Sequence, residues 1–212
     1  MHDARPEEAP DTDPRARPVQ SRSASTVTLM LDTAAHLLEE IGFERLSTNR
    51  ICAVAGLTPP AIYRYFPNKY AVLKALGERL MASQNAALDA WVAGEFDPDD
   101  LDGSYRAMLA GQLAATRSEI GGAWIMRALH ATPVLAEVRH ASHAQVTAML
   151  AEWTHAQWPP IGLDLARRHV RLMVEFGYAV IEMLCDRADA DEAQTIADAA
   201  RIMANEHRQM LG

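Results

Sequence analysis

The stretch LSTNRICAVAGLTPPAIYRYFPNK, residues 46–69, decides the fold. Ser47 or Thr48 can cap a two-turn helix over about 48–55, because a hydroxyl there accepts from an otherwise unpaired amide of the first turn. Ala55-Gly56-Leu57 then makes a tight turn, with glycine where positive φ is needed. Thr58 stands where it can cap a second short helix, about 59–65, with proline at the first helical position. Leu46, Ile51, Val54, Leu57, Ile62 and Phe66 supply apolar contacts that hold both helices against the one before. The pattern is a helix-turn-helix, whose second helix keeps its outer face free.

Working outward, Leu31, Ala34, Ala35, Leu38 and Ile41 recur at three- and four-residue spacing. They predict a first helix over about 24–41, ended by Gly42. Beyond residue 21, prolines occur only at 59–60, 67, 98, 133 and 159–160, and each marks a helix start or a gap. The intervening stretches are rich in Ala, Leu, Met, Glu and Arg and show no period-2 alternation. Helices are expected at about 68–93, 99–117, 121–131, 133–157, 163–186 and 191–210, with Thr132 and Asp191 as caps. The fold class is all-α, with about nine helices. Residues 1–21 hold four prolines, mixed charge and few large apolar groups, and read as a disordered leader. Its Arg15 and Arg17, with the adjoining Arg22, have the chemistry of a minor-groove arm.

The motif Ser47, Thr48, Ile51, Ala55, Gly56, Leu57, Thr58, Tyr63, Tyr65, Phe66, Asn68 and Lys69 closely resembles the TetR (tetracycline repressor) family over about residues 25–80. The resemblance implies a three-helix DNA-binding domain at 22–68 and a helical effector-binding and dimerisation domain at 69–212. It implies phosphate contacts from Ser47, Thr48, Thr58, Tyr63, Tyr65 and Lys69, and base contacts from Asn49, Pro59, Pro60, Ala61 and Arg64. Phosphate contacts set register and base contacts carry sequence. Arg64 can fork onto guanine and Asn49 can pair with adenine, while the apolar residues suit thymine methyls. Pro59 and Pro60 remove two N–H donors, so this helix start is a poor anion cradle. Both tyrosines are expected to face outward, and Phe66 to pack.

The net charge is −8, but it is uneven. Residues 22–80 carry seven Lys and Arg against five Asp and Glu, whereas 81–212 carry ten against eighteen. A small cationic head on an acidic body suits a reader of DNA. Cys52 and Cys185 lack metal-ligand spacing, and no apolar run approaches a membrane span, which together point to the cytoplasm. His140-x-x-His143 puts two imidazoles on one helix face without further ligands, so no metal site and no cofactor are expected. No nucleophile elbow, phosphate loop or paired carboxylates occur. An enzyme would have to rest on burial of His130, Glu175 or Glu182.

All four tryptophans and most methionines lie beyond residue 80. Such side chains suit a cavity for an organic molecule as well as a plain core, and the resemblance implies the cavity. Met108, Trp124, Met126, Met149, Trp153, Met173 and Phe176 are its candidate lining. The run 172–185, LMVEFGYAVIEMLC, is apolar on nearly every face and is expected to be buried on both sides. With the small-residue face Ile196, Ala197, Ala200, Met203 and Ala204 it predicts half of a dimeric four-helix bundle, which Ala200→Arg should split. The expected partners are palindromic double-stranded DNA, a small organic effector and a second copy of the chain, with no membrane. The rival expectation is a DNA-binding dimer without a small-molecule effector.

Overall fold

The computed structural model describes residues 10–15, 21–187, 189 and 191–211. Most of the leader lies outside these residues, including Arg17, as does the side chain of Arg22. Nine α-helices occur among the described residues, and no strand: α1 Ser21–Arg45, α2 Thr48–Ala55, α3 Pro59–Tyr63, α4 Lys69–Ala90, α5 Leu101–Ser118, α6 Gly122–Ala131, α7 Ala136–Gln157, α8 Leu163–Asp186 and α9 Glu192–Leu211. A π turn, Trp91–Glu95, extends α4, and a 3-10 turn, Pro133–Leu135, precedes α7. No helix among them is long and apolar enough to cross a membrane.

The chain divides into two compact units, residues 1–78 with 124–138, and residues 79–123 with 139–212. This division differs from a break at residue 68, because α4 contributes to both units and residues 124–138 fold with the N-terminal unit. The reason is close packing at Gly77, where an added Cβ would lie 2.7 Å from Leu129 Cδ2 and 3.2 Å from Val138 Cγ1. Only a residue without a side chain lets α4 come so near.

In the N-terminal unit, α1 buries Met30, Ala34, Ala35, Leu37 and Leu38. Its regular path breaks at Gly42, φ 74°, a left-handed conformation that costs glycine nothing. Described leader residues pack here as well. The Arg15 amide donates to Tyr65 O at 2.9 Å, Asn68 Nδ2 donates to Asp11 O at 2.6 Å, and Lys74 pairs with Asp13 at 2.5 Å. Asn68 Oδ1 also accepts from the amides of Tyr70 and Ala71, capping α4.

In the larger unit, α5 packs chiefly on α9, and α8 packs on both. Asp100 caps α5 through the Gly103 amide and Asp191 caps α9 through the Gln194 amide. Buried Gln84 on α4 donates to Thr116 Oγ1 of α5 at 2.8 Å, while Gln112 Nε2 returns a bond to Gln84 O. The π turn presents Trp91, 3% exposed, whose indole N–H reaches Ser104 O at 2.8 Å. Trp153 and Phe96 complete an aromatic cluster beside it.

The face Ile196, Ala200, Met203 and Ala204 is buried within the chain's own core, with Ala200 fully so. Ala200→Arg would therefore unfold the domain rather than split a dimer. The 172–185 run is not buried on both sides in the single chain. Leu172 is 66% exposed and Met183 41% exposed.

Candidate nucleic-acid interface and a cavity

The candidate interface rests on two buried isoleucines. Ile51 of α2 and Ile62 of α3 are both fully buried, with Leu46 and Phe66 beside them, and burial of one such side chain contributes about 1.5–3 kcal/mol. Ser47 caps α2 by accepting from the Arg50 amide at 3.2 Å. Gly56 takes the left-handed turn conformation, φ 67°. Val54 departs from expectation: it is 62% exposed, because Ile51 already occupies the inner face.

Thr58 holds the N-cap position of α3 but makes no side-chain cap bond. The cause is chemical, since Pro59 and Pro60 carry no amide hydrogen and the Ala61 amide bonds to Thr58 O. Its hydroxyl is left facing outward. Pro59, Pro60, Asn49 and Arg64 are exposed, Ala61 less so. Arg64 and Asn49 have no ion pair or side-chain hydrogen bond among the described residues.

Four more assigned residues are engaged by the protein itself. Thr48 Oγ1 and the Tyr63 hydroxyl lie 3.1 Å apart, so one O–H serves that bond and the pair presents a single donor outward. Tyr65 is 8% exposed against 38% for Tyr63, so Tyr65 packs rather than facing outward. Lys69 Nζ donates to Phe43 O at 3.3 Å and sits 4.2 Å from the centre of the Phe43 ring. That leaves it two donors for other work. Sequence reasoning overlooked Arg50, an exposed cation next to Asn49. The signal was in the motif: residues 45–69 hold Arg45, Arg50, Arg64 and Lys69 and no acid.

The larger unit holds a partly open cavity of about 90 Å³, room for several waters. Met108, Trp153 and Met173 line it. Met149 does not. Trp124 and Met126 belong to the N-terminal unit, where Arg127 stacks on Trp124 at 4.6 Å. Phe176 lies instead in an outer groove with Val180, Met183 and Ile202. The residues missed include polar ones: Tyr105, His143, Tyr178 and His207 also line the cavity. Tyr105 OH and His207 Nδ1 are 2.7 Å apart. Burial drives the His207 pKa down to about 4, helped by nearby His169 and Arg208, so its ring is neutral near pH 7.

His143 Nδ1 lies 3.1 Å from Glu175 Oε2. Glu175 also meets Arg171 at 2.8 Å and Arg139 at 3.7 Å. His140 and His130 are exposed.

Two short helices joined by a glycine turn, on a scaffold continued by a larger helical unit with its own cavity, define a helix-turn-helix protein. Residues 30–76 match the family described as bacterial regulatory proteins, tetR family. The similarity to that family covers α2 and α3 with the adjoining parts of α1 and α4. It is 40% identical over 52 residues to the tetracycline repressor protein class C of Escherichia coli, covering 24% of each chain. It is 32% identical over 110 residues to the HTH-type transcriptional regulator EthR of Mycobacterium tuberculosis, covering 45% of this chain and 51% of that one. The chain thus aligns with about a quarter and about half of the length of these two relatives. A TetR-family transcriptional regulator from Streptomyces coelicolor shares the fold at 22% identity, with TM-score 0.61 over 87% of this chain and 99% of that one.

Proposed function

We propose that the chain is a sequence-specific DNA-binding transcription regulator, a homodimeric repressor that leaves a palindromic operator when a small organic effector enters the cavity. One observation carries this reading. The outer face of α3 is held from beneath by buried Ile51 and Ile62, and it presents Pro59, Pro60 and an unpaired Arg64 within a stretch of four cations and no acid. Such a face fits a major groove, with Arg64 reading guanine and the prolines and Ala61 meeting thymine methyls. Asn49 reads an adjacent base. Ser47, Thr58, the Thr48–Tyr63 pair and Lys69 hold phosphates, with Tyr65 supporting them from within the core. The names of the two relatives, a repressor and a transcriptional regulator, support the reading.

The dimer reading rests on Leu172, Phe176, Ala179 and Met183, which follow one another at four-, three- and four-residue spacing along one face of α8. Leu172, Met183 and, on α9, Ile202 are 66%, 41% and 47% exposed. An apolar stripe of this kind is covered most simply by its own copy about a two-fold axis. The effector reading rests on the cavity and on α4. Gln84, Asn85 and Leu88 line the cavity, and Lys69 opens the same helix. An effector moves the equilibrium only by binding one arrangement of α4 better than another.

Selection of bound DNA from a random pool tests the proposal. Two inverted half-sites should be enriched, and a pool that stays unenriched would overturn it.

A further inference from the structure

The polar groups around the cavity are not alike. Gln84, Gln112, Ser142 and Tyr178 all bond within the protein. The Nε2 atoms of His143 and His207 have no hydrogen-bond partner, although both residues are about 97% buried. Buried polar atoms are seldom left so.

Their neighbours decide which of the two nitrogens carries the proton. Burial holds the Tyr105 phenol well above its usual pKa range, so it keeps its hydrogen. Among the described residues it has no acceptor other than His207 Nδ1, at 2.7 Å. Tyr105 therefore donates to Nδ1, and a neutral His207 must carry its own hydrogen on Nε2, as an unused donor. In His143 the carboxylate of Glu175 faces Nδ1 at 3.1 Å, a contact too bent for a good hydrogen bond but one that still places the proton on that nitrogen. Its Nε2 is then an unused acceptor. The lining contains no Lys, Arg, Asp or Glu, and a charge brought into such a site loses its hydration without gaining a counter-ion.

We propose that the cavity takes an uncharged, largely apolar organic molecule whose carbonyl-type oxygen accepts from His207 Nε2–H, with a hydroxyl or N–H on the same molecule able to fill His143 Nε2. This rests on the effector reading above and names the chemistry of that site. Tyr105 is the positioning residue, because its hydroxyl sets the His207 tautomer.

Matched aromatic probes test it on the full-length protein without DNA. Acetophenone, ethylbenzene and benzoate have similar bulk and differ in the group offered to His207. By NMR titration, acetophenone should bind roughly tenfold tighter than ethylbenzene, the ratio of one buried hydrogen bond, and benzoate weakest. Nitrogen-15 spectra should show His207 protonated on Nε2 and should shift with acetophenone. His207→Phe should abolish the preference over ethylbenzene. If that variant does not fold, Tyr105→Phe, which frees the tautomer, should reduce it. Tightest binding by benzoate, no preference for the ketone, or a His207 proton on Nδ1 would overturn the proposal. DNA affinity is read separately. Unchanged operator binding by acetophenone-saturated protein would reject effector control and leave the ligand chemistry standing, whereas DNA release by tightly bound benzoate would do the reverse.

Discussion

Replacing His207 by asparagine should flatten the acid side of the stability profile. In the folded chain His207 titrates at about 4, mainly through burial and then through His169 and Arg208. In the unfolded chain it titrates near its ordinary 6.5. As pH falls the unfolded state takes up the proton first, so the contribution is complete above pH 6.5 and is lost as pH falls through about 4. At about 1.4 kcal/mol per pKa unit the whole effect is about 3 kcal/mol, of which about 2 kcal/mol is gone by pH 5. Asparagine can still accept from the Tyr105 hydroxyl but does not titrate. Urea unfolding followed by circular dichroism at pH 7.5 and pH 5, at one protein concentration, gives the comparison. The wild type should lose about 2 kcal/mol more than His207→Asn between these pH values. His143, which burial shifts in the same direction, cancels in the difference. Equal losses in both proteins would refute a buried neutral His207.

Arg64→Ala should weaken operator binding by about 1–3 kcal/mol per half-site and relax preference at one symmetric position. Equal weakening on every sequence would show that Arg64 meets only phosphate. Lys69→Ala should lower affinity for all sequences with a shallower salt dependence. It should also cost about 1 kcal/mol of stability, because the same ammonium sits over Phe43. Leu172→Glu should give monomers by sedimentation with near-native thermal stability, and a dimer that persists would move the interface elsewhere. Gly122→Ala should destabilise by at least about 2 kcal/mol in thermal unfolding, since its Cβ would lie 1.9 Å from the Thr116 carbonyl oxygen. An unchanged midpoint would contradict the turn geometry.

The helix pattern was legible because prolines and capping residues punctuate it. Gly42 and Gly56 take positive φ where the motif asks for glycine, and Asp191 caps α9 as its position suggests. What failed was orientation within elements. Thr58 looks like a cap until the missing proline hydrogens are counted, and Tyr65 looks like a surface phenol although the turn after α3 points it inward. The α8 run, apolar all round, gives no sign of which face its own chain covers. The cavity was legible only in its large apolar members. Tyr105 and His207 are 102 residues apart, and their pairing follows from the packing of α5 on α9, which periodicity does not encode.

Helix α3 has only five residues, far too few to persist on its own. Its two prolines have φ fixed before folding begins, so the unfolded chain has less freedom to give up there, by about 0.4–1 kcal/mol for each compatible proline. The same stiffness persists at the exposed surface. A partner meeting Pro59 and Pro60 encounters a ledge already in its bound shape, with almost no motion left to lose on contact.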